Sequence, residues 1–213
     1  MYLAIEGVIG VGKTTLARML APSFEAGLLL EVFEENPFLS NFYEDRSRYA
    51  FQTQMFFLLS RYYQQRRGVQ AHMEANRSLI SDYTFEKDAL FARVNLGGDE
   101  LDMYHRIHEA LGEKIIHPDL IVYLRAEADV LMHRIAMRDR PYERQMERGY
   151  IEQLCDSYDE FFVRDTHHPW PVLVIECGDL DYVRHTDHLR LIEDRIRQEL
   201  RLPPYQQALP LKD

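Results

Sequence analysis

The sequence predicts an α/β fold in which a five-stranded parallel sheet is flanked by helices. Short apolar runs alternate with segments of helical periodicity, which is the pattern of strand–helix–strand units. A short strand at residues 3–5 also leads through a glycine-rich loop into a helix. A chain of 213 residues that is 46% hydrophobic can bury a full core, and we expect one domain over residues 1–213, with a proline-containing tail at about 201–213 that is extended or partly disordered.

The glycine-rich loop at residues 7–14 fits the phosphate-binding template GxxxxGK[ST] at every fixed position. Its glycines let successive backbone N–H groups turn toward a phosphate at a helix N-terminus. Lys13 would neutralise the phosphates, and the Thr14 hydroxyl would hold Mg²⁺. The sequence therefore predicts a phosphate site, which for ATP would comprise Gly7, Gly10, Val11, Gly12, Lys13, Thr14 and Thr15.

Composition excludes several classes of protein. The formal net charge of -10 argues against an extended nucleic-acid surface, because phosphate backbones are bound by clustered Lys and Arg. Cys155 and Cys177 are too few for a disulfide framework and favour a reducing compartment. No apolar run approaches the roughly 18 residues of a membrane span, and the first strand leaves no room for a targeting segment. We expect a cytoplasmic enzyme that binds neither nucleic acid nor membrane.

A carboxylate ends the second predicted strand. After the first helix, which we expect Gly27 to terminate, residues 28–32 are apolar except for Glu31. Ligands of open parallel sheets sit at the carboxyl ends of the strands. Glu31 is therefore predicted beside the phosphates, where a carboxylate can take the proton of an attacking hydroxyl. The alternative is a solvated acidic strand end that includes Glu34 and Glu35.

A long helix is predicted at about residues 47–76, after a short one at 38–43. Gln54 and Arg61 lie on or beside its apolar stripe, and polar groups among buried aromatics need partners, which a ligand can supply. An ordinary core helix is the alternative. The remaining strands are predicted at residues 78–81, 120–124 and 171–176.

A local cationic cluster occurs in this acidic chain. Arg134 and Arg138 are four residues apart on one predicted helix, and Arg140 comes just before the helix-breaking Pro141. Guanidinium groups form bidentate bonds and suit a phosphoryl group in transfer. The alternative is a charged surface on which neighbouring acidic residues pair with these arginines.

These motifs together resemble the deoxyribonucleoside kinases, relatives of thymidylate kinase with a P-loop kinase fold, over nearly the whole chain. Residues 34–39 are similar to the bacterial deoxyguanosine and deoxyadenosine kinase branch. The resemblance implies a three-layer fold with an arginine-rich lid at about 138–145. It also implies ATP as phosphate donor, Mg²⁺, and a homodimer or a heterodimer with a related kinase.

The resemblance implies roles for the residues that carry phosphoryl transfer. Glu31 takes the place of the family's general base, although Val32 follows it where the family usually has Pro. The loop after the last strand adds Asp179 to the expected ATP contacts, as the lid adds Arg138. The cations expected at the transferred phosphoryl group are Lys13, Arg134, Arg138 and Arg140.

The nucleoside contacts are implied in the same way. Tyr43 and the lid residue Glu143 match the pair that holds the sugar 3′-hydroxyl. Gln54 and Arg61 match the pair that binds the base, with Gln52 as the alternative if the register differs by two. The other expected nucleoside contacts are Glu31, Asp82, Lys87 and Phe91.

One segment departs from the family pattern. Many members have an Arg directly after the acidic residue that ends the third strand, whereas this chain has Asp82-Tyr83. In the family that Arg steadies the base carboxylate and the 5′-oxygen, so Arg61 or Lys87 would have to replace it. Asp82 itself is expected to hold Mg²⁺ through a water molecule. Where animal members have a base-reading Asp, this chain has Lys87, which is similar to bacterial deoxyguanosine kinases.

A lysine donor near the six-position of a purine favours guanine, because guanine has acceptors at O6 and N7 whereas adenine has a donor at N6. We therefore expect transfer of the γ-phosphate of ATP to the 5′-hydroxyl of a purine deoxyribonucleoside, with deoxyguanosine favoured over deoxyadenosine. One alternative is a nucleoside monophosphate kinase of the thymidylate type, which needs a further anion site. The other is a P-loop ATPase or switch, which the lack of an apolar strand ending in Asp-Glu disfavours.

Overall fold

The computed structural model describes residues 1–75, 77–165 and 167–205. Its all-parallel sheet confirms the predicted fold and has the strand order β2-β3-β1-β4-β5. The strands are β1 (Tyr2–Gly7), β2 (Ala26–Leu29), β3 (Ser78–Ser81), β4 (Leu120–Arg125) and β5 (Val172–Glu176). The helices within these ranges are α1 (Lys13–Leu20), α2 (Leu39–Glu44), α3 (Arg46–Glu74), α4 (Lys87–Asn95), α5 (Gly98–Gly112), α6 (Ala128–Arg138), α7 (Arg148–Asp159) and α8 (Thr186–Glu199).

The central strand β1 is buried at every residue, which is typical of a parallel sheet covered on both faces. It pairs with β4 as far as Gly7, which lies opposite Leu124. A Cβ at Gly7 would lie 2.5 Å from the Leu124 carbonyl oxygen, and its φ is +147°, so only glycine fits here. The chain leaves the sheet at this residue and enters the phosphate loop.

The path from α1 to β2 corrects the sequence analysis. The predicted helix ran to Gly27 and the predicted strand covered residues 28–32, whereas α1 ends at Leu20, ahead of Pro22. Proline lacks the N–H that a continuing helix needs. Gly27 belongs to β2, which pairs in register with β3. The strand therefore ends before Glu31, which lies on the loop beyond it.

The helix α3 agrees closely with its predicted range. Its N-cap is Asp45, whose side chain accepts a hydrogen bond from the Arg48 backbone N–H at 3.3 Å. The helix contacts α2, α4 and α5 and packs on β2 and β3. It therefore stands beside the carboxyl ends of these strands.

The start of the predicted tail is held against the last helix. The Arg197 guanidinium donates to the Pro203 carbonyl at 3.1 Å and lies 5.3 Å from the centre of the Tyr205 ring. Residues 201–205 contain no helix or strand, and the rest of the predicted tail, residues 206–213, lies outside the described ranges. No helix in the described part of the chain is long and apolar enough to cross a bilayer.

Candidate active site

The carboxyl ends of β1, β2 and β3 open into one cleft, here called the main cleft. Residues of the phosphate loop, the loop after β2, the helices α3 and α4, and the lid line it. Every residue expected to contact a nucleoside lines it. The predicted site residues on its walls are Gly10, Lys13, Thr14, Glu31, Tyr43, Gln54, Arg61, Asp82, Lys87, Phe91, Arg138, Arg140 and Glu143.

Two further cavities lie beside the main cleft: the first shares Lys13 and Arg138 with it, and the second shares Gly12 and Thr15 with the first. The first continues from Lys13 and Arg138 past Gly12 and Thr15 to the exposed Arg18, which the sequence analysis missed. The second contains Val11, Gly12, Thr15, Arg134 and Asp179. Among the residues expected to bind ATP, Gly7 alone lines none of the three cavities, since it forms the turn at the end of β1.

Lys13 folds back over its own loop. Its Nζ donates to the carbonyls of Gly7 at 2.7 Å and Val8 at 3.2 Å. Burial, reinforced by the ammonium of Lys87, lowers the pKa of Lys13 to about 8. The lysine is thus held at the mouth of the loop, where anionic oxygens could replace the two carbonyls.

Asp82, which follows β3, joins the first turn of α1 to the loop after β2. The Thr14 hydroxyl donates to one carboxylate oxygen, and the backbone N–H of Glu31 donates to the other at 2.8 Å. A hydroxyl beside a carboxylate is an oxygen donor pair of the kind Mg²⁺ uses together with substrate phosphates. Thr14 and Asp82 therefore fit the ion. The described residues contain no group of three or more His, Cys, Asp or Glu that could hold a metal.

The Glu31 carboxylate points into the main cleft and is bound by two cations. One oxygen accepts from Arg61 Nε at 2.8 Å and from its Nη2, and the other accepts from Lys87 Nζ at 2.5 Å. Burial alone would raise the pKa of Glu31, but the charges and hydrogen bonds of Arg61 and Lys87 hold this pKa well below its usual range. Glu31 is therefore ionised at any ordinary pH.

Arg61 also holds a carboxylate that the sequence analysis missed. Its Nη1 donates to Asp88, which is fully buried in the first turn of α4. Burial raises the pKa of Asp88 to about 7 in spite of the arginine. The sequence signal was weak, because Asp88 is one residue beyond the position matched to the base-reading Asp. Lys87 binds Glu31 and the neighbouring Asp88 binds Arg61, and the base-reading role expected of Lys87 stays a prediction.

Gln54, and not Gln52, faces the main cleft. Gln54 is buried whereas Gln52 is exposed. Among the described residues, nothing pairs with the buried oxygens of the Gln54 amide and the Thr53 hydroxyl, and both residues line the cleft. Buried polar atoms rarely stay unpaired, so this wall indicates a polar ligand. Thr53 was also missed, because its place beside Gln54 on a helix carries no signal of its own.

The lid arginines are paired within the lid. Glu143 is buried and accepts from Arg138 at 2.6 Å, and Arg140 lies 3.6 Å from it. The Arg140 guanidinium also lies 4.2 Å from the centre of the Phe33 ring. Burial, together with nearby Tyr150 and Glu143, raises the pKa of Tyr43 well above its usual value, so its hydroxyl remains a donor. An anion entering here would have to compete with Glu143.

Arg134 lies apart from the main cleft. Its guanidinium donates to the carbonyls of Val11 at 3.1 Å and Cys177 at 2.9 Å. These bonds join α6 to the phosphate loop and to the end of β5. Arg134 therefore lines the cavity that contains Asp179 and not the main cleft, and its expected role at the transferred phosphoryl group stays a prediction.

A second missed carboxylate, Glu6, lies directly before the phosphate loop. It is fully buried and accepts from the Thr84 backbone at 2.6 Å, the Thr84 hydroxyl at 3.0 Å and the Gly7 backbone at 3.2 Å. Burial raises the pKa of Glu6. Its signal in the sequence was an acidic residue within an apolar strand. Glu6 anchors the first residue of the phosphate loop to the segment after β3.

Comparisons with known proteins agree on one family. A model of the deoxynucleoside kinases matches residues 3–200. A deoxyguanosine kinase of Bacillus subtilis is 34% identical, and the match covers 92% of this chain and 96% of the relative. A deoxyadenosine kinase of Dictyostelium discoideum is 33% identical, with 84% of this chain and 73% of the relative covered. A solved structure of M. mycoides deoxyadenosine kinase with bound dCTP is 25% identical and has a TM-score of 0.79, covering 93% of this chain and 100% of that one.

Proposed function

Since this chain belongs to the deoxynucleoside kinase family, we propose that it transfers the γ-phosphoryl group of ATP to the 5′-hydroxyl of a purine deoxyribonucleoside, with deoxyguanosine favoured over deoxyadenosine. The observation that carries the proposal is one cleft lined at once by the phosphate-loop lysine, the Glu31 carboxylate and the Gln54 amide oxygen, which no described residue pairs with. Lys13, Glu31 and Gln54 would serve the phosphates, the 5′-hydroxyl and the base respectively.

The phosphate loop would bind the donor. Phosphate oxygens would replace the carbonyls of Gly7 and Val8 as acceptors for Lys13. Mg²⁺ held by Thr14 and Asp82 would neutralise the phosphate charge when bound. The loop after β5 contains Asp179 and lines a cavity together with Val11 and Gly12 of the phosphate loop. It would contact the rest of the nucleotide.

Glu31 would orient the 5′-hydroxyl and accept its proton during in-line transfer. Its low pKa makes it a weak base, so it would receive the proton late, when the 5′-oxygen already bonds to phosphorus. Most of the acceleration would come from positioning and from charge stabilisation by Lys13 and the lid arginines.

The lid would couple nucleoside binding to phosphate binding. Glu143 neutralises Arg138 through their ion pair. A sugar 3′-hydroxyl that donates to Glu143, with Tyr43 alongside, would weaken this ion pair and release the arginine toward the phosphates. Closure over both substrates would also exclude water and limit hydrolysis.

A monophosphate acceptor is disfavoured by charge. Its phosphate would meet the Glu31 carboxylate, and the nearby cations Arg61 and Lys87 already pair with that group. The candidates for the further anion site that this alternative needs are Arg46, Arg48 and Arg61. Of these, Arg46 is paired with Glu147 at 2.5 Å and Arg61 with Glu31 and Asp88. A nucleoside hydroxyl suits the cleft better than a phosphate does.

The order of deoxyguanosine before deoxyadenosine is supported by the deoxyguanosine kinase relative, which is 34% identical. Arg61 does not add to this support, because its guanidinium is bound to Glu31 and Asp88. Lys87 no longer supports it, because its ammonium is bound to Glu31.

A panel of acceptors tests the proposal. We expect kcat/KM to be highest for deoxyguanosine, second for deoxyadenosine, and at least about tenfold lower for deoxycytidine and thymidine, which corresponds to about 1.4 kcal/mol. Initial rates of ADP formation with each nucleoside, with dGMP, and without acceptor provide the measurement. A pyrimidine preference would overturn the purine assignment, and efficient use of dGMP would support the monophosphate kinase. Equal ADP formation without acceptor would support an ATPase.

We also propose a homodimer formed through α3. Leu59 and Tyr63 are four residues apart on one face of this helix and are 41% and 54% exposed, and Met103 on the adjacent α5 is 53% exposed. Exposed apolar groups of this kind mark interaction surfaces. We expect Leu59→Glu combined with Tyr63→Ser to halve the mass measured by light scattering, whereas Leu191→Glu on α8 leaves it unchanged. A monomeric wild-type protein would contradict the proposal.

A further inference from the structure

We propose that Lys87 belongs to the reaction centre, where its ammonium holds Glu31 and donates a hydrogen bond to the nucleoside 5′-oxygen. The inference rests on the proposed function and extends it by a catalytic residue. It replaces the base-reading role expected of Lys87 with a role in phosphoryl transfer.

The first support is the place of Lys87 among the charges of the cleft. Its Nζ lies 2.5 Å from Glu31 Oε2, and the side chain is only 6% exposed. It is also close enough to the phosphate-loop lysine for its charge to lower the pKa of Lys13. Lys13, Glu31 and Lys87 all line the main cleft, in which the proposed reaction joins the γ-phosphorus to the 5′-oxygen.

The second support is the hydrogen-bonding capacity of the ammonium. A lysine has three N–H donors. Within the described ranges, Glu31 is the one acceptor that Lys87 Nζ reaches, so two donors remain for a ligand. A hydroxyl that donates to Glu31 would lie beside this ammonium, and its oxygen could accept from it.

The third support is the lack of another cation after β3. Tyr83, which follows Asp82, is fully buried, and its hydroxyl donates to Gln64 at 2.9 Å. Arg61 is committed to two carboxylates, those of Glu31 and Asp88. Lys87 is therefore the cation best placed to serve both Glu31 and the substrate oxygen.

In the proposed reaction, one bond to phosphorus forms while another breaks. The 5′-oxygen forms a bond to the γ-phosphorus of ATP while the bond from that phosphorus to the bridging oxygen breaks, and its electron pair leaves with ADP. The 5′-hydroxyl proton passes to Glu31. Lys87 keeps its proton throughout and stabilises the negative charge that passes through the 5′-oxygen, while Arg61 fixes the other oxygen of Glu31.

Steady-state kinetics of Lys87→Met provide the first test. We expect kcat to fall about 10- to 100-fold, the loss for one hydrogen bond to a charged group. KM for the nucleoside should change little, and the ratio of kcat/KM for deoxyguanosine to that for deoxyadenosine should stay the same. Lys87→Arg keeps a cation and should recover a large part of kcat. Thermal unfolding of both variants checks that they are folded.

A binding cycle provides the second test. Calorimetry compares deoxyguanosine with 2′,5′-dideoxyguanosine, which lacks the 5′-oxygen. We expect the wild-type preference for deoxyguanosine to shrink at least about threefold in Lys87→Met, because the lysine can contact only the ligand that has this oxygen. The proposal would be overturned if Lys87→Met kept the wild-type preference for deoxyguanosine over 2′,5′-dideoxyguanosine. A change in the ratio of kcat/KM for deoxyguanosine to that for deoxyadenosine would overturn it as well. Wild-type protein that phosphorylates no purine deoxyribonucleoside would instead overturn the proposed function.

Discussion

Replacing Glu31 with Gln is expected to lower kcat by about 10²–10⁴-fold, the usual contribution of a general base. The amide has nearly the shape of the carboxylate and can still accept from Arg61 or Lys87, but it cannot take the proton of the 5′-hydroxyl. Binding of ATP and nucleoside should persist, because neither the phosphate loop nor Gln54 is altered. Steady-state rates and calorimetric titrations separate the two effects.

A neighbouring carboxylate provides the control for this variant. Glu35 is exposed on the 3₁₀ turn that follows Glu31, so Glu35→Gln removes the same charge without touching the cleft. We expect this variant to retain wild-type kcat. Near-normal turnover of Glu31→Gln would assign proton transfer to water or to another carboxylate. A loss of kcat in Glu35→Gln alone would assign it to Glu35.

Replacing Arg61 with Met should lower the free energy of unfolding by about 3–5 kcal/mol, the usual effect of removing one partner of a buried ion pair. Arg61 is 4% exposed and joins Glu31 to Asp88. Lys87 would remain for Glu31, whereas Asp88 would lose its only charged hydrogen-bond partner among the described residues. Most of the loss should therefore come from Asp88.

The size of this loss should depend on pH. Burial raises the pKa of Asp88 from 3.8 to about 7, and the groups that act on it are Arg61, Glu31, Lys87 and Tyr104. Between these two pKa values the folded protein binds a proton that the unfolded chain releases, so Asp88 reduces stability as pH rises through this window. Without Arg61 the folded pKa rises further and the window extends upward. The loss should therefore be larger at pH 8 than at pH 6.

Urea denaturation at pH 6 and pH 8 measures both effects. Arg66→Met provides a matched control, because Arg66 is an exposed arginine on the same helix and donates only to Tyr62 among the described residues. We expect the control to change stability by less than about 0.5 kcal/mol, as surface substitutions usually do. A loss in Arg61→Met that is equally small, or that is greater at pH 6, would contradict the ion-pair interpretation.

Local signals explain why much of the main cleft could be predicted. The phosphate loop is a contiguous motif, and Glu31 follows an apolar strand whose carboxyl end must lie at the ligand edge of a parallel sheet. The errors of two residues at the start of that strand and three at its end did not matter, because Glu31 lies just beyond the observed strand. Gln54 and Arg61 are seven residues apart, which is close to two helical turns, so one helix face presents both.

Other features depend on contacts between distant segments. The partners of Lys87 and Arg61 could not be predicted, because both meet Glu31 only after α3 and α4 pack beside the end of β2. Arg134 shares a helix face with Arg138, yet it binds the carbonyls of Val11 and Cys177. Spacing along a helix shows which side chains lie near each other, but it does not show which acceptor each one finds.

The sequence alone determined the α/β class, the phosphate loop, the acidic strand end and the family of this protein, because each depends on short-range patterns or on similarity along the chain. Only the tertiary structure decided that Glu31 is held by Lys87 as well as Arg61, and that Asp88 is the second carboxylate of this network. The physical reason is that a buried charge without a partner is strongly unfavourable, so each charged group in the cluster must be paired. Which partner it has depends on which charges the packed helices bring within hydrogen-bond distance.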